Sequence, residues 1–274
     1  YALIRLGSGF SALVCVTGAV GIAALAAFVM HERRGKHPML PLSIFANRQF
    51  SATNAVTFVV YAALGGLFFL LSVELQVVSG FSPLLAGTAL LPVTALMLVL
   101  SPRAAALSDR TGPRWPMTFG PLIAAAGIVL LAMSAGRHAT YVASVLPGVI
   151  VFGLGLSLLV APLTTTVLAA APNRYAGIAS GVNNAVARAA SLLAVAVLPV
   201  AAGIVGNDYR NGEHFLHGYR IALMLCTGLL IVGGLGSALL IRNPSAPPAP
   251  APHPEHHYDC AVCGPPVEQA AEAG

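Results

Sequence analysis

Charge is what this sequence has least of. Its 274 residues include 9 acidic and 14 basic ones, 8% in all, where soluble domains carry about 25%. With 57% hydrophobic residues and a mean hydropathy of +0.82, one water-surrounded core could not hide so much apolar surface. A bilayer is the solvent that fits. Other features are missing too. No nucleophile elbow, phosphate loop or metal-ligand helix occurs, so no catalysis is expected. No positively charged stretch with a small-residue cleavage site precedes the first apolar run, so no signal peptide is expected. The first residue is Tyr1 rather than methionine, and the chain is expected to be a piece of something longer. Cysteines number four; Cys15 and Cys226 fall inside apolar runs and read as small core residues. The net charge of +5 and pI of about 9.3 would suggest nucleic acid in a soluble protein. Here the basic residues sit mostly between apolar runs, so topology explains them and no nucleic acid is expected.

What is present is a series of long apolar runs. A spanning helix needs about 20 such residues, and seven candidates occur, at about 10–30, 52–73, 83–106, 117–135, 140–168, 177–205 and 219–241. The chain thus reads as an all-α integral membrane protein. The fifth run is interrupted by Pro147 and Pro162 and is expected to tilt or bend. Arg33, Arg34, Lys36, Arg48, Arg103, Arg110, Arg114, Arg174 and Arg242 fall in one set of loops, and Arg5, Arg137, Arg210 and Arg220 in the other. The bias places the first set, and the C-terminal tail, in the cytoplasm. Glycines gather in the fifth run (Gly148, Gly153, Gly155) and the seventh (Gly228, Gly233, Gly234, Gly236). Such small faces let helices approach closely in lipid and can also let them slide.

Polar groups inside spans are expensive and point to function. Arg188 lies about eleven residues into the sixth run, about 16 Å deep at 1.5 Å per residue. Ser180, Asn184, Arg188 and Ser191 fall on one helical stripe, bordered by Asn183. That stripe is expected to face other helices or a water-filled cavity, with Arg188 either lining a pathway or bonding carbonyls or a carboxylate. Asn54 and Tyr61 are further cavity candidates, Tyr61 equally being ordinary packing. Near the end of the second run sit Glu74 and Gln76; the Glu74 carboxylate could titrate or bind a cation, or sit solvated at the interface. Thr164, Thr165 and Thr166 can satisfy their own helix carbonyls.

Three charges gather in "ALSDRTGPRWPM", residues 106–117, between the third and fourth runs. Asp109 could cap the next helix and pair with arginine. Arg110 and Arg114 could bond helix carbonyl ends and anionic headgroups, and Gly112 permits a tight turn. Together they read as a gating latch; fixing orientation by charge would require neither Asp109 nor Gly112. "ALSDRTGPR" resembles the Asp-Arg-x-Gly-[Arg/Lys]-[Arg/Lys] loop of the major facilitator superfamily, which lies between the second and third helices of each six-helix half. Six runs follow Arg48, and the stretch follows the second of them. The segments "LQVVSGFSPLLAGTALLP" (75–92), "GIASGVNNAVARAASLLAVAV" (177–197) and "ERRGKHPMLPLSIFANRQF" are similar to segments of the fourteen-helix drug:proton antiporter family. Departures are Ala105 where the signature has glycine and Pro113 at its first basic position.

The resemblance covers nearly all of residues 1–242. It implies an extra central helix at 1–30, a basic cytoplasmic loop at 31–50 and a C-terminal six-helix transporter half at 51–242, with the N-terminal half absent. The implied function is proton-coupled efflux of small hydrophobic or cationic compounds across the plasma membrane by alternating access, without a cofactor. Residues 243–274 are rich in Pro, Ala and His and read as a disordered cytoplasmic tail. Its Cys260, Cys263, His256 and His257, with His253 near, are weak candidates for a zinc site, lacking a second conventionally spaced ligand pair. A seven-helix receptor or a non-transporting remnant are the alternatives. Against the receptor stand the absence of an extracellular cysteine pair and of a lysine in the seventh run.

Overall fold

Asn47 shows how these helices begin. Its backbone is extended (φ −70°, ψ 114°), and its side-chain oxygen accepts from the N–H groups of Gln49 and Phe50 at 2.9 and 3.2 Å. Two of the first unpaired amides are thereby satisfied. In the computed structural model, which describes residues 12–34, 40–137, 139–210 and 212–243, the elements are all helical. In chain order they are α1 (Ala12–Arg34), α2 (Arg48–Val77), α3 (Pro83–Thr88), α4 (Leu91–Thr111), α5 (Arg114–Ser134), α6 (Leu146–Ala169), α7 (Ala176–Ala201) and α8 (Gly212–Leu240). Short 3-10 turns occupy Leu42–Ala46, Asn173–Tyr175 and Gly206–Arg210, and a π turn occupies Tyr141–Val145.

Six spans among the described residues are long and apolar enough to cross a membrane, with α3 and α4 running together as Pro83–Thr111. The expected first span falls in α1, which runs for 23 residues, Ala12–Arg34. The third span begins at Pro83 as expected, but it is interrupted and ends later. It breaks at Ala89–Leu90, and α4 then continues through Ala104–Ala106 to Thr111. Asp109 and Arg110 therefore belong to the last helical turn rather than to a loop. The helix stops where Gly112 takes φ +85°, a conformation that glycine tolerates and other residues resist.

The packing has an internal order. α5 packs against α6 and α8, α2 against α8 and α7, and α4 against α6. Exchanging α2 with α6, α4 with α7 and α5 with α8 leaves this set of contacts unchanged. The six spans therefore behave as two three-helix repeats, as in many membrane transporter folds. The exchange also pairs the two most open spans: 17% of the Pro83–Thr111 window and 28% of the Asn173–Ala201 window are buried, against 56% for α2 and for α5. The core is closed by α5 and α6. A Cβ on Gly127 would lie 2.4 Å from the Phe152 nitrogen, and one on Gly155 would lie 2.3 Å from the Ala124 nitrogen. Their backbones touch because these positions carry no side chain. Gly228 and Gly236, by contrast, meet nothing closer than 3.9 Å.

Candidate functional site

α7 leaves one face open. Ala179, Asn183, Ala187, Ala190 and Ala194 are buried, while Asn184, Arg188, Leu192 and Leu193 are exposed. Asn184 bonds its own helix, donating to the Ser180 carbonyl at 3.0 Å, which fixes the amide on that stripe. Arg188 is in the middle of α7 and makes no ion pair with any described residue. A guanidinium so placed in an apolar span is costly unless it meets water or a partner.

Behind this face α2 and α7 are joined by polar contacts. Thr57 and Asn183 are buried, and the Thr57 hydroxyl lies 2.8 Å from the Asn183 side-chain oxygen and 3.0 Å from the Thr53 carbonyl. Asn54, also buried, donates to the Phe50 carbonyl at 2.9 Å, and its own side-chain oxygen has no partner. Higher up, the Ser191 hydroxyl is 3.0 Å from both the Tyr61 and Ala187 carbonyls. Close approach there is permitted by Gly65, whose absent Cβ would sit 2.7 Å from the Ser191 Cα. Asn183 and Asn54 thus form the backing, and Asn184 and Arg188 the surface. Glu74 and Gln76 stand apart: twenty residues beyond Asn54 on α2, they are about 30 Å away along the helix axis. Glu74 is buried against Ser79, and Gln76 is exposed and donates to the Ser72 carbonyl at 2.9 Å. Thr164, Thr165 and Thr166 bond the carbonyls of Val160, Ala161 and Pro162, carbonyls of their own helix.

At the α4–α5 connection, Asp109 and Arg110 are exposed, and among the described residues neither forms an ion pair. Asp109 does not cap α5, whose N-cap position is Pro113 and which has no side-chain cap. Arg114 reaches across to α8: its Nε donates to the Ala238 carbonyl at 2.8 Å. Asn243, which follows α8, accepts from the Arg114 N–H at 3.2 Å and donates to the Thr111 carbonyl at 3.3 Å. Its amide fills the space over Gly112 that a Cβ would occupy. Alongside, Gln49 exchanges two bonds with the Arg242 backbone, at 3.0 and 3.1 Å, and Asn47 donates to the Ala170 carbonyl at 2.8 Å. Three side-chain amides therefore fasten the carbonyl ends of α4, α6 and α8 to the starts of α2 and α5. Sequence reading missed Asn243 and Gln49, since an amide beside a helix end carries no signal until its partner, over 100 residues away, is known. Cys260, Cys263, His253, His256 and His257 lie outside the described residues.

A bundle of long apolar helices in two exchanged repeats, with one face carrying polar residues left open, defines an all-helical membrane protein. The comparisons give it a family. The model of the Major Facilitator Superfamily matches residues 2–195, and the chain belongs to that family, one of membrane transporters rather than enzymes. It is 34% identical over 182 residues to the multidrug resistance protein Stp of Mycobacterium tuberculosis, covering 66% of this chain and 33% of that one. It is 31% identical over 255 residues to the puromycin resistance protein pur8 of Streptomyces alboniger, covering 89% of this chain and 51% of the relative. The tetracenomycin C resistance and export protein of Streptomyces glaucescens is 33% identical over 186 residues, 66% of this chain and 34% of its own. The chain spans between a third and half of the length of these relatives.

Proposed function

We propose that this chain forms the C-terminal half of a proton-coupled efflux transporter in the plasma membrane, which exports small hydrophobic or cationic compounds by alternating access. The observation that carries the reading is the polar face of α7, left open in an otherwise apolar bundle. Arg188 and Asn184 line the pathway, and Asn183 and Asn54 hold that wall against α2. A second half, joined along the open faces of α4 and α7, supplies the opposite wall. Arg188 carries positive charge, so a cationic substrate needs its counter-charge from acids of the other half, while Arg188 hydrogen-bonds neutral oxygens. The resistance and export functions named for the relatives support the class of substrate. The bias of basic residues toward one set of loops supports a cytoplasmic side for the Asp109–Arg114 end and the tail. There Asp109, Arg110, Gly112 and Arg114 act as a latch, closed when Asn243 sits over Gly112.

The test is efflux from energised membrane vesicles carrying the complete transporter, with a panel of antibiotics and dyes. Efflux that stops when the proton gradient is collapsed supports the reading. Efflux untouched by collapse removes the proton as coupling ion, and failure to move any member of the panel removes drug export.

A further inference from the structure

The third span parts at Ala89–Leu90, just before Pro92. Proline has no N–H to give the carbonyl four residues back, here that of Thr88, and its ring presses on that carbonyl. Yet proline alone does not divide a helix in this bundle. Pro102, Pro121, Pro162 and Pro199 lie inside α4, α5, α6 and α7, which run on through them. At the break a second group takes part. In an unbroken helix the Val93 N–H would bond the Ala89 carbonyl. It bonds the Leu90 carbonyl instead, at 3.0 Å, with Leu90 at φ −93°, ψ 0°. Ala89 is 1% exposed, and a buried carbonyl needs a donor. The Tyr141 hydroxyl, from the π turn that precedes α6, supplies it at 3.2 Å.

We propose that Ala89–Leu90 is a hinge with two bonded states, and that the Tyr141 hydroxyl is the clip that holds the bent one. In the bent state Tyr141 donates to Ala89, and Val93 donates to Leu90. In the straight state the Val93 N–H passes to the Ala89 carbonyl, Tyr141 lets go, and α3 swings into line with α4. Ala89 keeps one donor in either state, so the hinge has two discrete positions rather than a continuous range. The two sides of the clip differ as a hinge requires. The Tyr141 side is fixed: the Ser144 hydroxyl oxygen accepts from the Thr140 N–H at 3.2 Å, and the Leu146 N–H closes the π turn on the Tyr141 carbonyl. α4 is held too, packed along α6. α3 is lightly held. Of its six residues only Ala86 is buried, and Leu84 and Leu85 are 76% and 57% exposed. A segment with so few buried contacts is the first to move. The hinge thus frees the end of an open span, on the side of the bundle away from Gly112, while the rest of the span stays packed. It stands on this bond geometry and does not depend on the transport reading.

The test is the distance between spin labels at Leu85 and Val142, both exposed, in the full-length protein in lipid nanodiscs and a cysteine-free background. Wild type should show a dominant short distance. Tyr141→Phe keeps the ring and removes the clip, and should raise the ratio of long to short distances about fivefold, the worth of one hydrogen bond. Pro92→Ala restores a donor for Thr88 and should shift the ratio the same way. In the Pro92→Ala background, Tyr141→Phe should add little, because Ala89 then has its helical donor. Hydrogen exchange across α8 is the control for folding and should be equal in all four proteins. An unchanged ratio in Tyr141→Phe or in Pro92→Ala overturns the proposal, as does an effect of Tyr141→Phe equally large in both backgrounds. A single broadened distance in place of two, or faster exchange throughout α8, also overturns it, since either shows general loosening rather than a hinge.

Discussion

α4 and α7 occupy equivalent places in the two repeats, and they are the two spans with the least buried surface. Their open faces differ in kind. α4 exposes Leu91, Leu98, Val99 and Leu107, and its one mid-helix charge, Arg103, turns back to donate to the Val99 carbonyl at 2.8 Å. α7 exposes Asn184 and Arg188, with Arg188 free of any ion pair among the described residues. Repetition of the scaffold has therefore not repeated the chemistry. One open helix exposes chiefly aliphatic side chains, and the other sets Asn184 and Arg188 beside exposed Leu192, Leu193 and Val197. A polar group in a span stays where it is useful, because elsewhere it costs stability.

The strongest way to break this comparison is with bulk. Gly155→Leu drives a side chain into backbone, with Cβ positions 2.3 Å from the Ala124 nitrogen and 2.5 Å from the Gly120 oxygen. The expected loss is at least about 3 kcal/mol, the upper end of ordinary overpacking, read as a fall in thermal unfolding temperature in detergent. Gly181→Leu, on the stripe of Asn184 and Arg188, meets nothing within 4 Å. Its unfolding should stay within about 0.5 kcal/mol of wild type, while efflux by the complete transporter falls. Equal destabilisation by the two would mean that the α7 face is packed rather than open.

Charge removal sharpens the same contrast. Arg188→Ala should lower efflux at least tenfold, about 1.4 kcal/mol of lost function, at unchanged expression. Arg103→Ala removes a side chain that serves only its own helix carbonyl, and should leave efflux within about twofold of wild type, well under 1 kcal/mol. Equal losses in vesicle assays would show that α4, too, lines the pathway.

The helices were legible because apolar runs of spanning length are a strong signal, and the place of "SDRTGPR" was legible from the count of runs before and after it. Less legible was the local state of Asp109 and Arg110: the strong helix formers Ala104–Ala106 carry α4 past the point where the apolar run ends, up to Gly112. On α7 the stripe periodicity marked Asn184 and Arg188 as one face, but only packing separates these from Asn183, which turns to Thr57 on α2. Glu74 read as a helix-end carboxylate. Its burial depends on Ser79, Tyr219 and the 135–137 connection, and so on contacts that no local pattern records.

Modest effects on stability are expected at the α4–α5 connection, and they are the most informative about it. Asn243→Ala deletes two hydrogen bonds that bridge Thr111 and Arg114. Both are near solvent, so water replaces them in part, and the expected cost is about 1 kcal/mol, seen as faster hydrogen exchange at residues 111–114. Asp109→Asn should cost less than about 0.5 kcal/mol, because Asp109 is exposed and forms no ion pair with a described residue. That makes it the cleaner probe of gating. A residue without work in this state, whose loss nevertheless halves efflux or worse, must act in the other state of the cycle. If Asp109→Asn leaves both folding and efflux at wild-type levels while Asn243→Ala slows transport, the latch is the amide over Gly112, and the aspartate serves only the local charge pattern.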